Sequence, residues 1–318
     1  MSALVFVEID EKEVKKSSLE AVSYGKSLGG DVLAICFGDL TASGIEKIGK
    51  AGANKLIQVK EEKLAVPNIM AYSTAIAETF DQNGCDTLVL AKSSLGDPVS
   101  ARVAIKVGAS VVPNVSGLPE GSGEMVVDRS IYTGKAVAKT LVKGAKKVLT
   151  IKKNTVPILE DGSAPEVVDF KPTLKDEDFK VKVTKTEKAT GEVLLPEADI
   201  VVSGGRGMGG PEKWSMLEDL AKVLGAATGC SKPVSDMNWR PHHEHVGQTG
   251  IKVSPSLYIA VGISGAIQHL AGVNSSKYIL VINKDPEAPF FKAADFGIVG
   301  DAFDIVPKLT EAIKAKKD

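Results

Sequence analysis

Glycine-bearing turns beside hydroxyl, amide and imidazole side chains recur between residues 229 and 285. Within this stretch, Gly262 and Gly265 bracket a turn that follows a predicted strand at residues 257–261 and precedes a short helical run at residues 266–271. Backbone N–H groups can approach a pyrophosphate only where side chains are small, and a helix N-terminus adds partial positive charge there. The spacing therefore predicts a dinucleotide site.

A second glycine-rich loop runs from Gly205 to Gly210 and reads GRGMGG, which satisfies the G-x-G-x-x-G pattern between a predicted strand and a predicted helix. This pattern alone suggests an NAD site, so an NAD-dependent dehydrogenase is the alternative hypothesis. Such a site also needs an acidic residue about twenty residues further on. Residues 224–227, which read LGAA, occupy that position, and no convincing catalytic acid or base accompanies the loop.

Three histidines, His242, His243 and His245, surround Glu244 and are the pattern closest to a metal site. No fourth ligand and no HExxH spacing accompany them, although a zinc site needs one or the other. We therefore expect no metal here, and we interpret the segment as an exposed loop whose charge depends on pH.

The composition excludes several classes of protein. The 318 residues exceed the usual size of one domain, and 43% apolar but only 5% aromatic residues are typical of an α/β protein. A net charge of −1 gives no basic stripe, so we expect no nucleic-acid partner. Three cysteines without CxxC spacing predict no disulfide framework. No apolar run approaches the ~20 residues of a membrane span, and no signal peptide is evident, so we expect no membrane insertion.

Strands and helices alternate along the N-terminal half, which predicts βαβ crossovers and a mostly parallel sheet. Predicted strands at residues 3–9, 32–37, 55–59 and 87–91 alternate with predicted helices at residues 13–28, 42–51, 69–82 and 99–107, and strands at residues 111–115, 124–131, 136–142 and 147–151 follow. The loop from Ser93 to Gly96 resembles a phosphate loop, which leaves a nucleotide-binding regulatory module as a third hypothesis. Its single glycine favours an ordinary loop.

A composition shift between residues 154 and 196 separates two predicted domains, because charged residues and prolines replace the periodic pattern. An alternating strand is predicted at residues 179–184, and the boundary is predicted within residues 186–192. The domains are residues 1–188 and residues 189–318. The second opens with a strand at residues 200–203 and closes with a helix at residues 302–315.

Four motifs resemble the α subunit of electron transfer flavoprotein. They are SGGRGMGG at residues 203–210, VGQTG at residues 246–250, SLYIAVGISGAIQHLAG at residues 256–272, and INKDPEAPFFKAADFGIVGD at residues 282–301. Looser matches lie at residues 18–32 and 127–140. The resemblance implies an α/β fold of two domains, an N-terminal one with a mostly parallel, nucleotide-binding-like sheet that is a scaffold and subunit interface, and a C-terminal Rossmann-like FAD-binding one.

The resemblance also implies the residues that bind FAD. They are Arg206, Ser231, Lys232, Val246, Gly247, Gln248, Thr249, Ser264, Gly265, Ala266, Ile267, Gln268, His269, Asn283, Asp301 and Ala302. It implies no catalytic residue and no metal ligand. By resemblance, Arg206 would contact the diphosphate, Thr249 would bond to flavin N5, and His269 would face the flavin pyrimidine.

Two further parts of this site follow from the resemblance. The family has an arginine where this chain has Lys232, which keeps the charge but lacks the planar fork of a guanidinium. Asn283 and Asp301 are expected to end strands at the edge of the sheet where the adenosine would lie.

The function implied by the resemblance is that of an electron carrier rather than an enzyme. A β subunit would complete a heterodimer, flavin dehydrogenases such as those for acyl-CoA in fatty acid β-oxidation would be donors, and a membrane-bound quinone oxidoreductase would be the acceptor. We expect a cytoplasmic protein in a bacterial cell, or a mitochondrial-matrix protein if this is a mature eukaryotic chain.

Overall fold

The computed structural model describes residues 2–120, 124–134, 136–184 and 194–317. The chain divides into two compact units, Met1–Thr186 and Glu187–Asp318. The predicted domain boundary lies within residues 185–193, outside the described residues, so the two units are described separately.

The N-terminal unit is built on a nine-stranded sheet with the order β11-β5-β4-β1-β6-β10-β7-β8-β9. Its strands are β1 (Ser2–Phe6), β4 (Asp31–Phe37), β5 (Lys55–Val59), β6 (Thr87–Ala91), β7 (Ser110–Val115), β8 (Met125–Ile131), β9 (Ala136–Val142), β10 (Lys147–Ile151) and β11 (Glu166–Asp169). Pairing is parallel from β11 to β7, and β8 and β9 are antiparallel. The predicted sheet, mostly parallel and ending in antiparallel strands, is confirmed.

Four helices cover the two faces of this sheet, because successive side chains of each strand point to opposite faces and both faces are apolar. They are α1 (Lys16–Ser27), α2 (Ala42–Lys50), α3 (Ile69–Gln82) and α4 (Gly96–Val107). On β1, Leu4 and Phe6 belong to one core, and Val5 belongs to the other.

The N-terminal unit corrects two predictions. The helix expected from residue 13 begins at Lys16, because a hairpin of β2 (Ile9–Asp10) and β3 (Glu13–Val14) precedes it. Glu11 and Lys12 adopt positive φ angles of 48° and 66°, which is the backbone of a tight two-residue hairpin turn.

The strand predicted at residues 179–184 is wrong. Asp176–Phe179 forms a 3₁₀ turn, residues 180–184 form no strand, and Val181 and Val183 are exposed. The strand in this region is β11 instead, which pairs with β5 at the edge of the sheet.

The C-terminal unit contains a five-stranded parallel sheet with the order β13-β12-β14-β15-β16. The strands are β12 (Ile200–Gly204), β13 (Ala227–Cys230), β14 (Leu257–Val261), β15 (Tyr278–Asn283) and β16 (Phe296–Val299), and the helices are α5 (Ser215–Leu224), α6 (Lys232–Asp236), α7 (Ile267–Val273) and α8 (Ala302–Lys317). Two apolar cores cover its faces. The predicted α/β fold class is confirmed, with a mostly parallel sheet in the N-terminal unit and a parallel sheet in the C-terminal unit.

The strand order places a topological switch point between β12 and β14. The chain runs outward from β12 to β13 and then returns to β14 on the other side of β12. In open α/β sheets, ligands bind beyond the carboxyl ends of the strands at such a point. No helix in the described part of the chain is long and apolar enough to cross a membrane.

Candidate functional site

The carboxyl ends of the C-terminal strands bring most of the predicted site residues to one edge of the sheet. Arg206 follows β12, Lys232 follows β13, Ser264 follows β14, and Asp301 follows β16. All five strands run in the same direction, so the loops after them lie at the same edge.

Several polar side chains of this set are exposed. They are Arg206, Lys232, Gln248, Thr249, Ser264 and Gln268, and none of them makes a side-chain hydrogen bond or salt bridge within the described residues. Their donors and acceptors are therefore available to a ligand. Two of them, Arg206 and Lys232, carry positive charge, which suits an anionic one.

The glycines after β12 allow the loop after β12 to contact the loop after β14. The N–H groups of Gly205 and Gly207 donate to the carbonyls of Val261 (2.8 Å) and Gly262 (3.0 Å). A Cβ atom at Gly205 would lie 2.1 Å from the Gly262 carbonyl oxygen. Both N–H groups donate hydrogen bonds within the protein and are not available to a pyrophosphate. The G-x-G-x-x-G match therefore does not support the hypothesis of an NAD-dependent dehydrogenase. The Arg206 side chain of this loop is exposed and can meet a diphosphate.

The turn at residues 247–250 is fixed by its neighbours on two sides. Val246, which is fully buried, donates its N–H to the Cys230 carbonyl at the end of β13 (2.9 Å), and Gln248 donates its N–H to the Gln268 carbonyl in α7 (2.7 Å). A Cβ atom at Gly272 would lie 2.5 Å from the Cα atom of Gly247, so the turn and α7 are in direct backbone contact. The exposed tip of the turn is Gln248 and Thr249.

Ser231 and Lys232 lie where α6 begins. Ser231 is buried and donates its N–H to the Gly204 carbonyl (3.0 Å), which ties the end of β13 to the end of β12. Lys232 is the first residue of α6 and its side chain is exposed. The chain therefore places one cation next to the switch point.

The loop after β14 presents a mixed surface. Ser264, Ala266, Ile267 and Gln268 are exposed, and Ile267 is unusual for an apolar side chain at 66% exposure. Gly265 has a φ angle of +85°, and a Cβ atom there would lie 2.5 Å from the Phe290 backbone. Only glycine fits both conditions, so this loop conformation requires glycine at position 265.

His269 is buried on the inner side of α7. Its Nε2 atom lies 2.8 Å from the Tyr258 hydroxyl, and its Nδ1 atom has no well-aligned hydrogen-bond partner among the described residues. Burial, and then the neighbouring His245, lower the pKa of His269 to about 4, while the Val246 backbone acts weakly in the opposite direction. The ring is neutral at physiological pH, and its Nδ1 atom is buried near the Val246 backbone.

The residues expected at the adenosine end have structural partners in this chain. Asn283 ends β15, donates to the Ile263 carbonyl (3.0 Å) and accepts from the Asp285 N–H (3.1 Å). Asp301 was expected to end a strand, but β16 ends at Val299. Its carboxylate accepts the Phe303 N–H (2.9 Å) at the start of α8, where Ala302 is buried.

The histidine segment is not the exposed loop that its composition suggests. His242 and His243 are exposed, but Glu244 and His245 are buried. The Glu244 carboxylate accepts from Arg240 Nε (2.8 Å) and from a terminal guanidinium nitrogen of the same residue (2.6 Å). Within the described residues, no group of three or more histidine, cysteine or acidic side chains could hold a metal ion.

The loop at Ser93 is engaged with its own chain. The Ser93 hydroxyl donates to the buried Glu8 carboxylate and accepts from the N–H groups of Leu95 (3.2 Å) and Gly96 (2.7 Å). These partners use the groups that a phosphate would need. The geometry therefore favours an ordinary loop over a regulatory nucleotide site.

Comparison with known families decides where this chain belongs. The model described as the electron transfer flavoprotein domain matches residues 3–175, and the model described as the electron transfer flavoprotein FAD-binding domain matches residues 194–274. The first match alone spans more than half of the chain.

The chain belongs to the electron transfer flavoprotein family.

Relatives align with the chain over nearly its whole length. It is 35% identical over 318 residues to electron transfer flavoprotein subunit alpha of Bacillus subtilis (strain 168), covering 98% of this chain and 97% of the relative. It is 37% identical over 315 residues to the alpha subunit of Syntrophomonas wolfei, covering 98% of each chain. It is 34% identical to the probable mitochondrial alpha subunit of Caenorhabditis elegans, covering 98% of this chain and 93% of the relative. The resemblance to the alpha subunit of electron transfer flavoprotein, first seen in four sequence motifs, is confirmed.

The match to the electron transfer flavoprotein FAD-binding domain locates the cofactor region. It begins before β12 and ends one residue beyond α7, so it includes the predicted residues from Arg206 to His269 and leaves out Asn283, Asp301 and Ala302. FAD as the cofactor of this domain is confirmed at the level of the family.

Two functional candidates escaped the sequence analysis, Tyr258 and the buried ring of His245. Tyr258 is fully buried and is a partner of His269, but in the sequence it is one more apolar residue of a predicted strand. His245 looked like part of an exposed charged segment. No sequence pattern around either residue indicates that it is buried, because the burial of both depends on packing between secondary-structure elements.

Acidification should destabilise the C-terminal unit through His269. The folded protein holds this ring neutral, so the unfolded chain takes up the proton first as pH falls below the ordinary histidine value. Stability is present above that value and is lost down to the pKa of about 4, by about 3 kcal/mol. Denaturation followed by tryptophan fluorescence measures it, because Trp214 and Trp239 both lie in this unit.

Two variants test whether His269 causes this loss of stability. His269→Gln should flatten the loss between about pH 6.5 and pH 4, and His243→Gln, at an exposed site, should retain it. Identical pH dependence in the wild type and His269→Gln would remove His269 as the cause.

Replacing Gly205 with alanine should weaken folding, because the added methyl group would overlap the Gly262 carbonyl. We expect a loss of about 1–3 kcal/mol in the FAD-free chain, the usual cost of overpacking. Gly117→Ala is the control, since a Cβ atom there would have no neighbour nearer than 3.6 Å. Unchanged stability of Gly205→Ala together with lost FAD binding would show instead that this glycine serves the ligand.

Proposed function

We propose that this chain is the alpha subunit of a heterodimeric electron transfer flavoprotein and holds FAD beyond the carboxyl edge of its C-terminal sheet. One observation carries the proposal. Exposed polar side chains without partners converge from the loops after several strands, within the residues matched by the FAD-binding domain model. The strand order places a switch point at the same edge, where α/β sheets bind nucleotides.

The diphosphate end of FAD fits the groups around the switch point. Arg206 offers a guanidinium that can bind a phosphate with two parallel hydrogen bonds. Ser264 and Gln268 add a hydroxyl and an amide from the neighbouring loop, and both are exposed. Ile267, exposed beside them, offers an apolar surface that a bound cofactor would cover.

The ring end of FAD fits the remaining groups. Thr249, exposed at the tip of its turn, would bond to N5, and Lys232 would provide a positive charge close to the ring. His269 would face the flavin pyrimidine, and if the Tyr258 hydroxyl donates to Nε2, the proton of the neutral ring lies on Nδ1. Bound FAD supplies the chemistry, since a flavin accepts and releases electrons.

The chain itself supplies orientation and charge, not acid–base catalysis. His269 is neutral and fixed by Tyr258, so it can hold a proton at a set position without exchanging it with solvent. The proposed site contains no nucleophile next to a base. We therefore propose an electron carrier without catalytic residues.

The partner subunit has a candidate surface in the N-terminal unit. β9 is the edge strand of the nine-stranded sheet, and Val137 (61%) and Leu141 (39%) are exposed on it. Tyr132, just before it, is 78% exposed. Exposed apolar side chains on an edge strand can mark an interaction surface, although Lys139 lies between Val137 and Leu141, and we propose that the beta subunit covers this surface.

The donors and acceptor are proposed from the family. We propose flavin dehydrogenases such as acyl-CoA dehydrogenases as donors, and a membrane-bound quinone oxidoreductase as acceptor. The relatives include bacterial subunits and one described as mitochondrial, which supports the cytoplasm of a bacterial cell or the mitochondrial matrix of a eukaryotic one.

The absorption spectrum of the co-purified heterodimer tests the proposed function. We expect a flavin band, and FAD as the extracted cofactor. A colourless complex that binds NADH would support the NAD-dependent dehydrogenase instead. The loop from Gly205 to Gly210 would then have to be reinterpreted.

The isolated subunit should hold FAD more weakly than the heterodimer. Its site is an open edge with exposed side chains, and a partner that binds only the folded, loaded form stabilises it by mass action. Equilibrium dialysis of FAD against the isolated subunit and against the heterodimer gives the comparison. Equal, tight binding by both would contradict a shared site.

Removing the charge of Lys232 should lower the midpoint potential of the bound flavin, because the cation favours the more negative reduced ring. We expect Lys232→Gln to lower it by about 20 mV at low salt, with a smaller shift at high salt, where exposed charges are screened. Lys232→Arg keeps the charge and should give an equal or higher potential. Potentiometry that finds one potential for Lys, Arg and Gln would show that Lys232 does not act on the ring.

A further inference from the structure

A buried imidazole lies beneath the turn at residues 247–250. His245 is 3% exposed. A Cβ atom at Gly250 would lie 2.7 Å from its Nδ1 atom, and one at Gly247 would lie 3.2 Å from its Nε2 atom. Both glycines that bound the turn therefore pack against the same ring, while the side chains of Gln248 and Thr249 are exposed.

The backbone of His245 is tied to the same turn. Its carbonyl accepts the Ile251 N–H (2.8 Å), and Gly247 donates its own N–H to the Ile251 carbonyl (3.1 Å). The next residue, Val246, is bonded to Cys230 at the end of β13. Because the ring and the turn share these anchors, a displacement of the ring would displace the turn.

The ring has a polar atom that packing does not explain. Nδ1 is buried and has no hydrogen-bond partner among the described residues. Leaving a buried polar atom unpaired has a cost, and such an atom in a folded protein calls for an explanation. A phenylalanine would fill the space without that cost, so support of the turn alone does not account for a histidine.

Charged and titratable groups surround the ring from each element packed against it. Lys232 and Asp236 face it from α6, His269 from α7, and His242 from its own segment at 5.6 Å between ring centroids. Burial, then His242 and Lys232, lower the pKa of His245, and Asp236 acts in the opposite direction. The Glu244 carboxylate does not offset this lowering of the His245 pKa, because Arg240 binds it.

We propose that His245 is a positioning residue of the flavin site, whose neutral ring supports the turn that carries Gln248 and Thr249 and whose protonation releases that turn. A proton on Nδ1 would have no hydrogen-bond acceptor in the present arrangement of the described residues. The added charge would also lie close to Lys232. Uptake of a proton by this ring therefore weakens the hold of the turn, and with it the hold on FAD. The link to FAD rests on the proposed function, whereas the link to the turn does not.

Amide hydrogen exchange of residues 248–251 in the heterodimer, with and without FAD, tests the proposal, together with the rate of FAD release followed by flavin fluorescence. In the wild type, after correction for intrinsic rates, exchange should be about tenfold faster at about pH 5.5 than at about pH 7.5, and FAD release should accelerate by a similar factor. The lower pH stays above the pKa of His269, about 4, so that ring remains neutral.

Three variants separate the contributions. His245→Phe keeps a ring without nitrogens and should retain slow exchange at both pH values. His245→Ala removes the support and should exchange fast at both. His243→Gln, at an exposed neighbouring site, should behave as the wild type.

A wild-type pH response that persists in His245→Phe would overturn the proposal, and so would slow exchange in His245→Ala. A heterodimer that holds no FAD would contradict the proposed function alone, since the exchange of the turn would still report on His245.

Discussion

The contact between the loops after β12 and β14 is the constraint on which the rest of the site depends. The N–H groups of Gly205 and Gly207 are bonded to the carbonyls of Val261 and Gly262, and no side chain fits between them. These bonds fix the two loops at the switch point of the sheet. Arg206 is then held between two anchored glycines, and its exposed side chain can reach a ligand.

A second constraint sets the charge at the site. Burial lowers the pKa of both His269 and His245, whereas Lys232 and Arg206 are exposed cations at the edge of the sheet. A buried neutral ring can hold a hydrogen bond in a fixed direction, whereas an exposed cation contributes a charge that salt can screen. The structure thus separates the groups that orient a flavin from those that tune it.

Much of the fold followed from the sequence, because its strand and helix patterns are local, whereas the residues that bind FAD were predicted from the family resemblance. Alternating strands and helices gave both parallel sheets, and glycines with adjacent polar residues marked the loops at the edge. The hairpin before α1 was missed because it depends on positive φ angles at Glu11 and Lys12, which the helical spacing of later residues concealed. The strand β11 was missed because its four residues pair with the distant β5.

The burial of the histidine segment could not be predicted from spacing. Glu244 is buried because Arg240 pairs with it, and His245 is buried because the following turn folds back over it. A similar limit applies to Asn283 and Asp301, whose side chains are engaged with nearby backbone groups. These contacts exist only in the folded chain, because they depend on which groups the fold brings within hydrogen-bonding distance.

The central claim is that FAD lies beyond the carboxyl edge of the C-terminal sheet, and a hydrogen-exchange footprint of the heterodimer with and without FAD tests it most directly. We predict that FAD slows exchange in residues 205–210, 231–232, 246–250 and 263–269, and leaves the loop from Ser93 to Gly96 unchanged. Protection of the Ser93 loop without protection of the C-terminal loops would contradict the account.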